Sequence, residues 1–294
     1  MMERTGPASL ERVIQRWTQP RVSPPAALAG DGKRMRGANR MAPQGEHWET
    51  VTLVDHAGGA PVASRSYREE GGEQHAMRAL LEEVDLPDVT VTLDAGHAGR
   101  EIRQAIVEQH GGHILVRIKG NSKLTWETLT GMDWDLGAER SWAEQRWQRS
   151  HNRHWERRCI QVFTPHPQLL PSPHARQAYR ITHETCQRLG GEIQRTCSYG
   201  ITSLPAAQAT ARDLLRLQRG HWQVESANHF RRDKTFGEDS SRIRTGHGPS
   251  NAAALNNLAL ALLLSQRQFE TVPEAQTHFM GNREEAIRLL LQSG

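Results

Sequence analysis

The chain has 294 residues, 36% of them hydrophobic, with a formal net charge of +4. A chain this long can bury a large core as one elaborated domain or two small ones, so its mean hydropathy of −0.68 does not mean disorder. The charge is too small for a histone-like polycation, yet an isoelectric point near 9.2, carried more by Arg than by Lys, favours an anionic partner. Cys159, Cys186 and Cys197 form no CxxC pair and cannot all pair internally, which points to a reducing cytosol. The opening stretch, MMERTGPASLERVIQRW, carries acids and no apolar core, so no signal peptide is expected. The longest apolar run, 252–264, contains Asn256 and Asn257 and is too short for a bilayer, so a buried helix and no membrane partner are expected.

In chain order, residues 9–19 predict a short amphipathic helix, which Pro20, Pro24 and Pro25 then break. A strand follows over 26–29 and ends at Asp31-Gly32. HWETVTLVDHAGG (47–59) reads as a strand running into a turn, and PVASRSYRE (61–69) as its antiparallel partner. Residues 73–84 carry apolar positions at helical spacing. VTVTLDAG (89–96) is a strand stopped by Asp94 and Gly96, GREIRQAIVEQHGG a helix closed by two glycines, and HILVRIKGN (113–121) another strand. Residues 122–199 are less regular. They are rich in Trp and Arg, hold the proline-rich loop PHPQLLPSPH (165–174), and contain strand-like pieces at 158–163, 179–185 and 197–204. Pro205 opens a helix expected to run to about Arg231. Residues 250–268 are apolar nearly all round and so a buried helix, and 283–292 end the chain in a short one.

This order is that of an RNase H-like core: three antiparallel strands, a helix, a parallel strand, a helix, a fifth strand. In that architecture one acid sits on the first strand, one just after the fourth, and one on a later helix. Asp31, Asp94 and Glu225 occupy those places, with separations of 94 − 31 = 63 and 225 − 94 = 131 residues. The expected fold is therefore α/β, an RNase H-like core (a mixed five-stranded sheet with flanking helices) with a β-rich insertion before the helix carrying the third acid. The expected organisation is an N-terminal helix and linker (1–25), the first part of the catalytic core (26–121), the insertion (122–204), and C-terminal helices completing the core (205–294).

Three converging carboxylates bind hard cations such as Mg²⁺. Two such ions can activate a water or a 3′-hydroxyl and stabilise the leaving oxygen. Each acid also has a plain structural reading: Asp31 a turn residue, Asp94 a helix cap, Glu225 a solvated helix residue. Agreement of all three with one topology favours the metal site. His221, Glu225 and His229 repeat at i, i+4, i+8, and histidines favour Zn²⁺, so a zinc-dependent hydrolase is the rival metal reading, although no HExxH is present. Lys33, Arg36, Arg231, Arg232, Lys234, Arg242 and Arg244 would ring the site as phosphate contacts, with Lys119 at a strand end nearby. Arg242 and Arg244 could instead pair with Glu238 and Asp239. Trp126, Trp134, Trp142, Trp147 and Trp155 are expected to pack a small β subdomain, and Trp222 to lie in the core.

These segments resemble the ISAs-type DDE insertion-sequence transposases, a family that includes the H-repeat-associated proteins. Asp31-Gly32-Lys33 with Arg36-Gly37 resembles its DGKxxRG segment, Asp94-Ala95-Gly96-His97 its second-acid segment, and Lys119-Gly120-Asn121 its KGN. Tyr199, Ile201, Ser203 and Leu204 resemble the YxISSL strand. Arg219-Gly220-His221-Trp222, Glu225, His229, Asp233, Thr235-Phe236, Glu238-Asp239 and 241–244 resemble the block RGHWxIE…H…DxTFxEDxSRIR. The resemblance covers about residues 26–265. It implies DNA strand cleavage and strand transfer with Mg²⁺ or Mn²⁺, with Asp31, Asp94 and Glu225 as ligands and Arg219, His221 and His229 beside the DNA. It further implies transposon ends and target DNA as partners, a homodimer assembled on DNA, and a cytoplasmic, nucleoid-associated bacterial protein. The chain departs from the family at Gly99, where a glutamine is usual, and at Ser226, where Asn is common. Family members usually have a longer N-terminal helical region, so a truncated copy is expected, with a non-catalytic DNA-binding remnant as the alternative.

Overall fold

The computed structural model describes residues 6–18, 26–43, 46–68, 72–97, 99–135, 140–150, 154–166, 168–170 and 172–291. In chain order the elements are α1 (Pro7–Thr18), β1 (Ala27–Arg34), α2 (Arg36–Asn39), β2 (Trp48–Asp55), β3 (Pro61–Arg68), α3 (Glu73–Leu81), β4 (Thr90–Leu93) and α4 (Arg100–Gln104). There follow β5 (His113–Ile118), α5 (Lys123–Gly131), β6 (Arg140–Glu144), β7 (Gln148–Arg149), β8 (Trp155–Phe163), β9 (Gln177–Cys186) and β10 (Gln194–Thr202). The chain ends with α6 (Ala211–Gly220), α7 (Gly248–Ser265), α8 (Val272–Gly281) and α9 (Arg283–Leu291). The expected linker residues 20–25 lie outside the described residues. The chain divides into two compact units, residues 1–85 with 220–294, and residues 86–219.

In the first unit β1, β2 and β3 form an antiparallel meander. β1 pairs with β2 from Leu28↔Asp55 to Arg34↔Glu49, and β2 pairs with β3 from Trp48↔Arg68 to Val54↔Pro61. Asp31 therefore sits mid-strand opposite Thr52, not at a strand end. Asp-Gly reads locally as a turn, but a continuous ladder to β2 holds both residues extended. α3 buries Ala76, Met77, Leu80 and Leu81. α1 lies against β3 and α7, and Glu11 accepts a hydrogen bond from the Ser66 backbone N–H at 2.7 Å, capping a donor on the meander's third strand. α7 is buried along much of its length, as its apolar run predicts, although Leu255 is exposed. α8 was not expected; Thr271 caps it by accepting from the Glu274 N–H, with Pro273 in the first turn.

The single helix expected over 205–231 is divided. Residues 205–208 form a turn, and α6 begins after Thr210, whose hydroxyl accepts the Asp213 N–H while the Asp213 carboxylate accepts the Thr210 N–H, a reciprocal N-terminal cap. α6 stops at Gly220, where a Cβ would lie 2.1 Å from His56 Nδ1. The chain then continues with wider π-helical winding over Val224–His229 and Arg231–Thr235.

In the second unit β4 and β5 are parallel, joined through α4 and a π-helical turn at Ala105–Gln109. β10 adds antiparallel to β5, followed by β9, β8 and β6, with β7 on β8. The element order and pairings are those of an α/β protein with an RNase H-like core, followed by a β-rich segment before the helical stretch carrying Glu225. The inserted strands extend the sheet from β5. Leu214 and Leu215 of α6 pack on Leu115, Ile160, Val162, Tyr179 and Ile181. Gly200 permits this layer, since a Cβ there would lie 2.2 Å from the Tyr179 ring, whose hydroxyl donates within hydrogen-bond reach of the Val116 carbonyl at 3.1 Å. Trp126 meets Tyr199 edge-on at 5.4 Å and Trp134 is buried against Phe163 at 5.2 Å, as packing predicts. Trp142 is exposed instead, and Trp147 lies under Arg157.

Candidate functional site

One face of β1 organises the first unit's chemistry. Side chains alternate along a strand, so Ala29, Asp31 and Lys33 share a face. Each meets the helical stretch after Gly220. Ala29 packs with Val54 and Val224. Asp31 Oδ2 lies 3.9 Å from His229 Nδ1. Lys33 Nζ pairs with Asp233 at 2.6 Å and lies 3.7 Å from both Glu238 and Asp239. The contacts on the helical side fall at 224, 229 and 233, spaced by five and four. That wide winding keeps the stretch in step with alternate residues of β1. Glu225 follows directly on Val224, which anchors it to the strand carrying Asp31, and its own side chain is exposed. Gly59, at φ +69° in the turn after β2, admits this stretch, because a Cβ there would lie 2.6 Å from Ala227 Cβ.

His229 is held neutral. Burial first, and then the charges of Arg232 and Lys33, push its pKa down to about 4, against an opposing pull from Asp31 and Glu238. The imidazole thus places no positive charge against Asp31 at neutral pH. Behind it, Arg232 is wholly buried and forms a two-pronged pair with Glu238, Nε to Oε2 at 2.7 Å and Nη2 to Oε1 at 2.8 Å, and reaches Thr50 Oγ1 at 3.3 Å. Burial raises the Glu238 carboxyl, but Arg232 and Lys33 outweigh it and hold the pKa below its ordinary value.

The expected DNA contacts divide accordingly. Lys33 and Arg232 are buried against carboxylates and cannot reach a phosphate without breaking those pairs, so the structure does not place them as DNA contacts. His221 is also buried, beside His56, whose pKa is lowered to about 4 by burial and by His221. Arg231 donates to the Gly58 carbonyl at 3.1 Å. Arg242 and Arg244 do not pair with Glu238 and Asp239; both are exposed, and Arg244 donates to the Gly37 carbonyl at 3.3 Å. Asp239 instead faces Lys33 and, at 3.9 Å, the exposed Arg36. Lys234 is exposed. Trp222 was expected in the core but is 56% exposed, as is Phe230, because the break after Gly220 turns position 222 outward. The alternative zinc site is not formed. Among the described residues His221, Glu225 and His229 do not gather their ligand atoms, since π-helical winding takes the three off one face.

In the second unit Asp94 follows β4 and its Oδ1 accepts the His97 backbone N–H at 3.1 Å, a local turn that fixes the carboxylate. Gly96 leaves room for it, as a Cβ there would lie 3.2 Å from Asp94 Oδ1. Lys119 is exposed just after β5, and Arg219 at the end of α6. Asp233, Glu238 and Asp239 join the candidate site through their ion pairs, whereas the motif contains them only as part of a block. The signal that could have found them is the match between alternate positions on β1 and a helical spacing of four to five.

The transposase DDE domain family model matches residues 27–264, and the chain belongs to this family. Two proteins of Escherichia coli strain K12, the putative protein YbfL and the H repeat-associated putative transposase YhhI, are each 25% identical over 255 residues, covering 83% of this chain. The chain spans 65% of the length of these relatives. A piggyBac transposase synaptic complex with hairpin DNA aligns with a TM-score of 0.48 at 8% identity, over 87% of this chain and 52% of that one. No helix among the described residues is long and apolar enough to cross a membrane.

Proposed function

We propose that the protein is a DDE transposase that cleaves DNA at the ends of an insertion sequence and joins the freed 3′-hydroxyl to target DNA. The observation that carries this reading is the β1 face, where Asp31 and the anchored Glu225 stretch meet while the neighbouring cation is neutralised by other acids. Asp31, Glu225 and Asp94 would hold Mg²⁺ or Mn²⁺, two ions in the full site. The donor chemistry fits: oxygen ligands suit hard divalent cations, and neutral His229 leaves the Asp31 charge available. When bound, such ions supply activation of the attacking oxygen and stabilisation of the leaving one.

The chain's own residues do the rest. Val224 and Gly59 seat the Glu225 stretch, His229 holds its ring beside Asp31, and the Lys33–Asp233 and Arg232–Glu238 pairs lock the stretch against β1 and β2. Exposed Arg36, Lys119, Arg219, Lys234, Arg242 and Arg244 would contact DNA phosphates, giving salt-dependent affinity with little sequence preference. A homodimer assembled on DNA, in the cytoplasm and at the nucleoid, belongs to the same proposal. The test is divalent-metal-dependent cleavage of DNA carrying the element's ends by the purified protein, compared with Asp94→Asn and Glu225→Gln. Cleavage lost to background in both folded variants is the expected result. Undiminished cleavage in either removes that acid from the site, and DNA binding without cleavage in Mg²⁺ and Mn²⁺ supports the non-catalytic reading.

A further inference from the structure

The second unit contains a cavity that the DNA-cleavage reading does not use. It lies between the π-helical turn after α4 and residues 165–166 and 172–176, with a volume of about 930 Å³. Arg100, His174, Arg176 and His166 line it together with apolar Val107 and Leu170. A small annex of about 50 Å³ shares Arg100, Pro173 and His174 with it and is also lined by Arg103, Gln104 and Glu108.

Arg103 is the unusual residue. It is 7% exposed, yet among the described residues no carboxylate lies within ion-pairing distance of its guanidinium. Its one hydrogen bond runs from Nη1 to the Ser172 hydroxyl, and its buried Nε has no partner. A buried charge is costly unless paired and fully hydrogen-bonded, and interior arginines are ordinarily matched to an acid. Burial and the charge of Arg100 both lower the Arg103 pKa, so the neighbouring cation opposes its charge. The acid in the annex, Glu108, is engaged elsewhere, with His174 Nε2 at 3.0 Å and Gln104 at 2.7 Å. His174 holds a left-handed backbone at φ 67°, a costly conformation outside glycine that the loop must enforce to set this ring against Glu108.

We propose that the annex and the cavity beside it form a phosphate-binding site, in which Arg103 on the annex, Arg100 on both and Arg176 on the cavity receive the phosphate groups of a ligand. Paired guanidinium forks match phosphate oxygens, and a cavity of this size with both cations and apolar walls suits a molecule as large as a nucleotide. The same chemistry would admit a backbone phosphate of DNA, and the test separates the two sources. Neither arm depends on DNA cleavage, so the site stands or falls independently of the transposase reading.

The test uses the full chain, with pyrophosphate, a nucleoside triphosphate and a 5′-phosphorylated DNA duplex as probes. Variants are Arg103→Met and Arg176→Gln, and the readouts are thermal melting, calorimetric affinity and the salt dependence of DNA binding. For a small ligand, pyrophosphate and the nucleotide raise the wild-type melting temperature, Arg176→Gln weakens binding about tenfold, the loss of one charged contact, and Arg103→Met abolishes it. For a DNA phosphate, both variants instead lower the slope of log affinity against log salt by about one. Without ligand, Arg103→Met melts no lower than wild type, because it removes an uncompensated charge. If that variant fails to fold, Arg176→Gln and Arg100→Gln carry the same comparisons. The proposal is overturned if no phosphate probe shifts the melting temperature and the salt slopes are unchanged, or if binding is as strong in the variants as in wild type.

Discussion

Two parts of this molecule use the same residue types in opposite ways. Around β1, arginine and lysine meet carboxylates out of water: Arg232 has no exposed side chain, and its partner Glu238 only 8%. On β6, β8, β9 and β10, charges form ladders across the face of a sheet. Arg157 touches both Glu144 and Glu184, Arg195 reaches Glu184 at 2.7 Å, and Glu156 accepts from Arg158 and lies 3.1 Å from His183. The strand ladder is redundant and open to water at its cations, with Arg195 62% exposed although Glu184 is only 7%. In the β1 network the wholly buried Arg232 is matched to Glu238 by a two-pronged contact, so that cation depends on its specific partner. Equal charge composition thus carries little stability in one place and fixes the geometry of a candidate active site in the other.

Single substitutions can break this contrast. The largest effect is expected at Arg232→Met, which removes the two-pronged partner of buried Glu238 and should cost about 3–5 kcal/mol by urea unfolding. A double variant that also carries Glu238→Leu should recover much of that loss, because the uncompensated charge goes with it. A cost under about 1 kcal/mol for Arg232→Met would mean that the network is no drier than the ladder.

Glu11 sharpens the comparison at a buried acid with little cationic help. Burial raises its pKa from 4.5 to about 7, against the hydrogen bond from Ser66 and the charge of Arg65. A folded-state pKa above the unfolded one means that the native state holds its proton more tightly. The contribution is full below about pH 4.5 and is lost as pH rises through about 7. Glu11→Gln keeps an acceptor for the Ser66 N–H without the charge. It should therefore exceed wild type by roughly 2–3 kcal/mol at pH 8 and match it near pH 4, as followed by melting across that range.

Arg157→Ala should cost about 1 kcal/mol or less, and less again in high salt, because Arg195 still pairs with Glu184 and the site is partly solvated. Smallest of all, Trp222→Ala should change stability by no more than about 0.5 kcal/mol, since an exposed side chain away from any cap or core contributes little. A loss of several kcal/mol in denaturant titration would return Trp222 to the core, where its sequence pattern placed it.

Much of the fold was legible because local signals agreed. The meander follows from alternating runs bounded by turn residues, the β4–β5 pair from apolar runs separated by a helical pattern, and α7 from an all-round apolar stretch. The helix after Pro205 was misjudged because periodicity alone does not register a cap at Thr210, a close approach at Gly220 or π-helical winding. The turn at Asp94 is legible because it is local. Asp31 was misplaced at a strand end, since Asp-Gly is locally a turn and only the ladder to β2 overrides it.

The sequence by itself determined the family, through spaced identities around Asp31, Asp94 and Glu225, and the order of its strands and helices, because motif spacing and periodicity are properties of the chain. Which cations face solvent was decided only in three dimensions. Lys33 and Arg232 are indistinguishable from Arg36 and Lys234 as letters in a basic block. They differ because alternation on β1 and winding after Gly220 turn one pair inward onto Asp233 and Glu238 and leave the other in water. Burial sets the cost of an unpaired charge, and burial comes from packing between segments far apart in the chain.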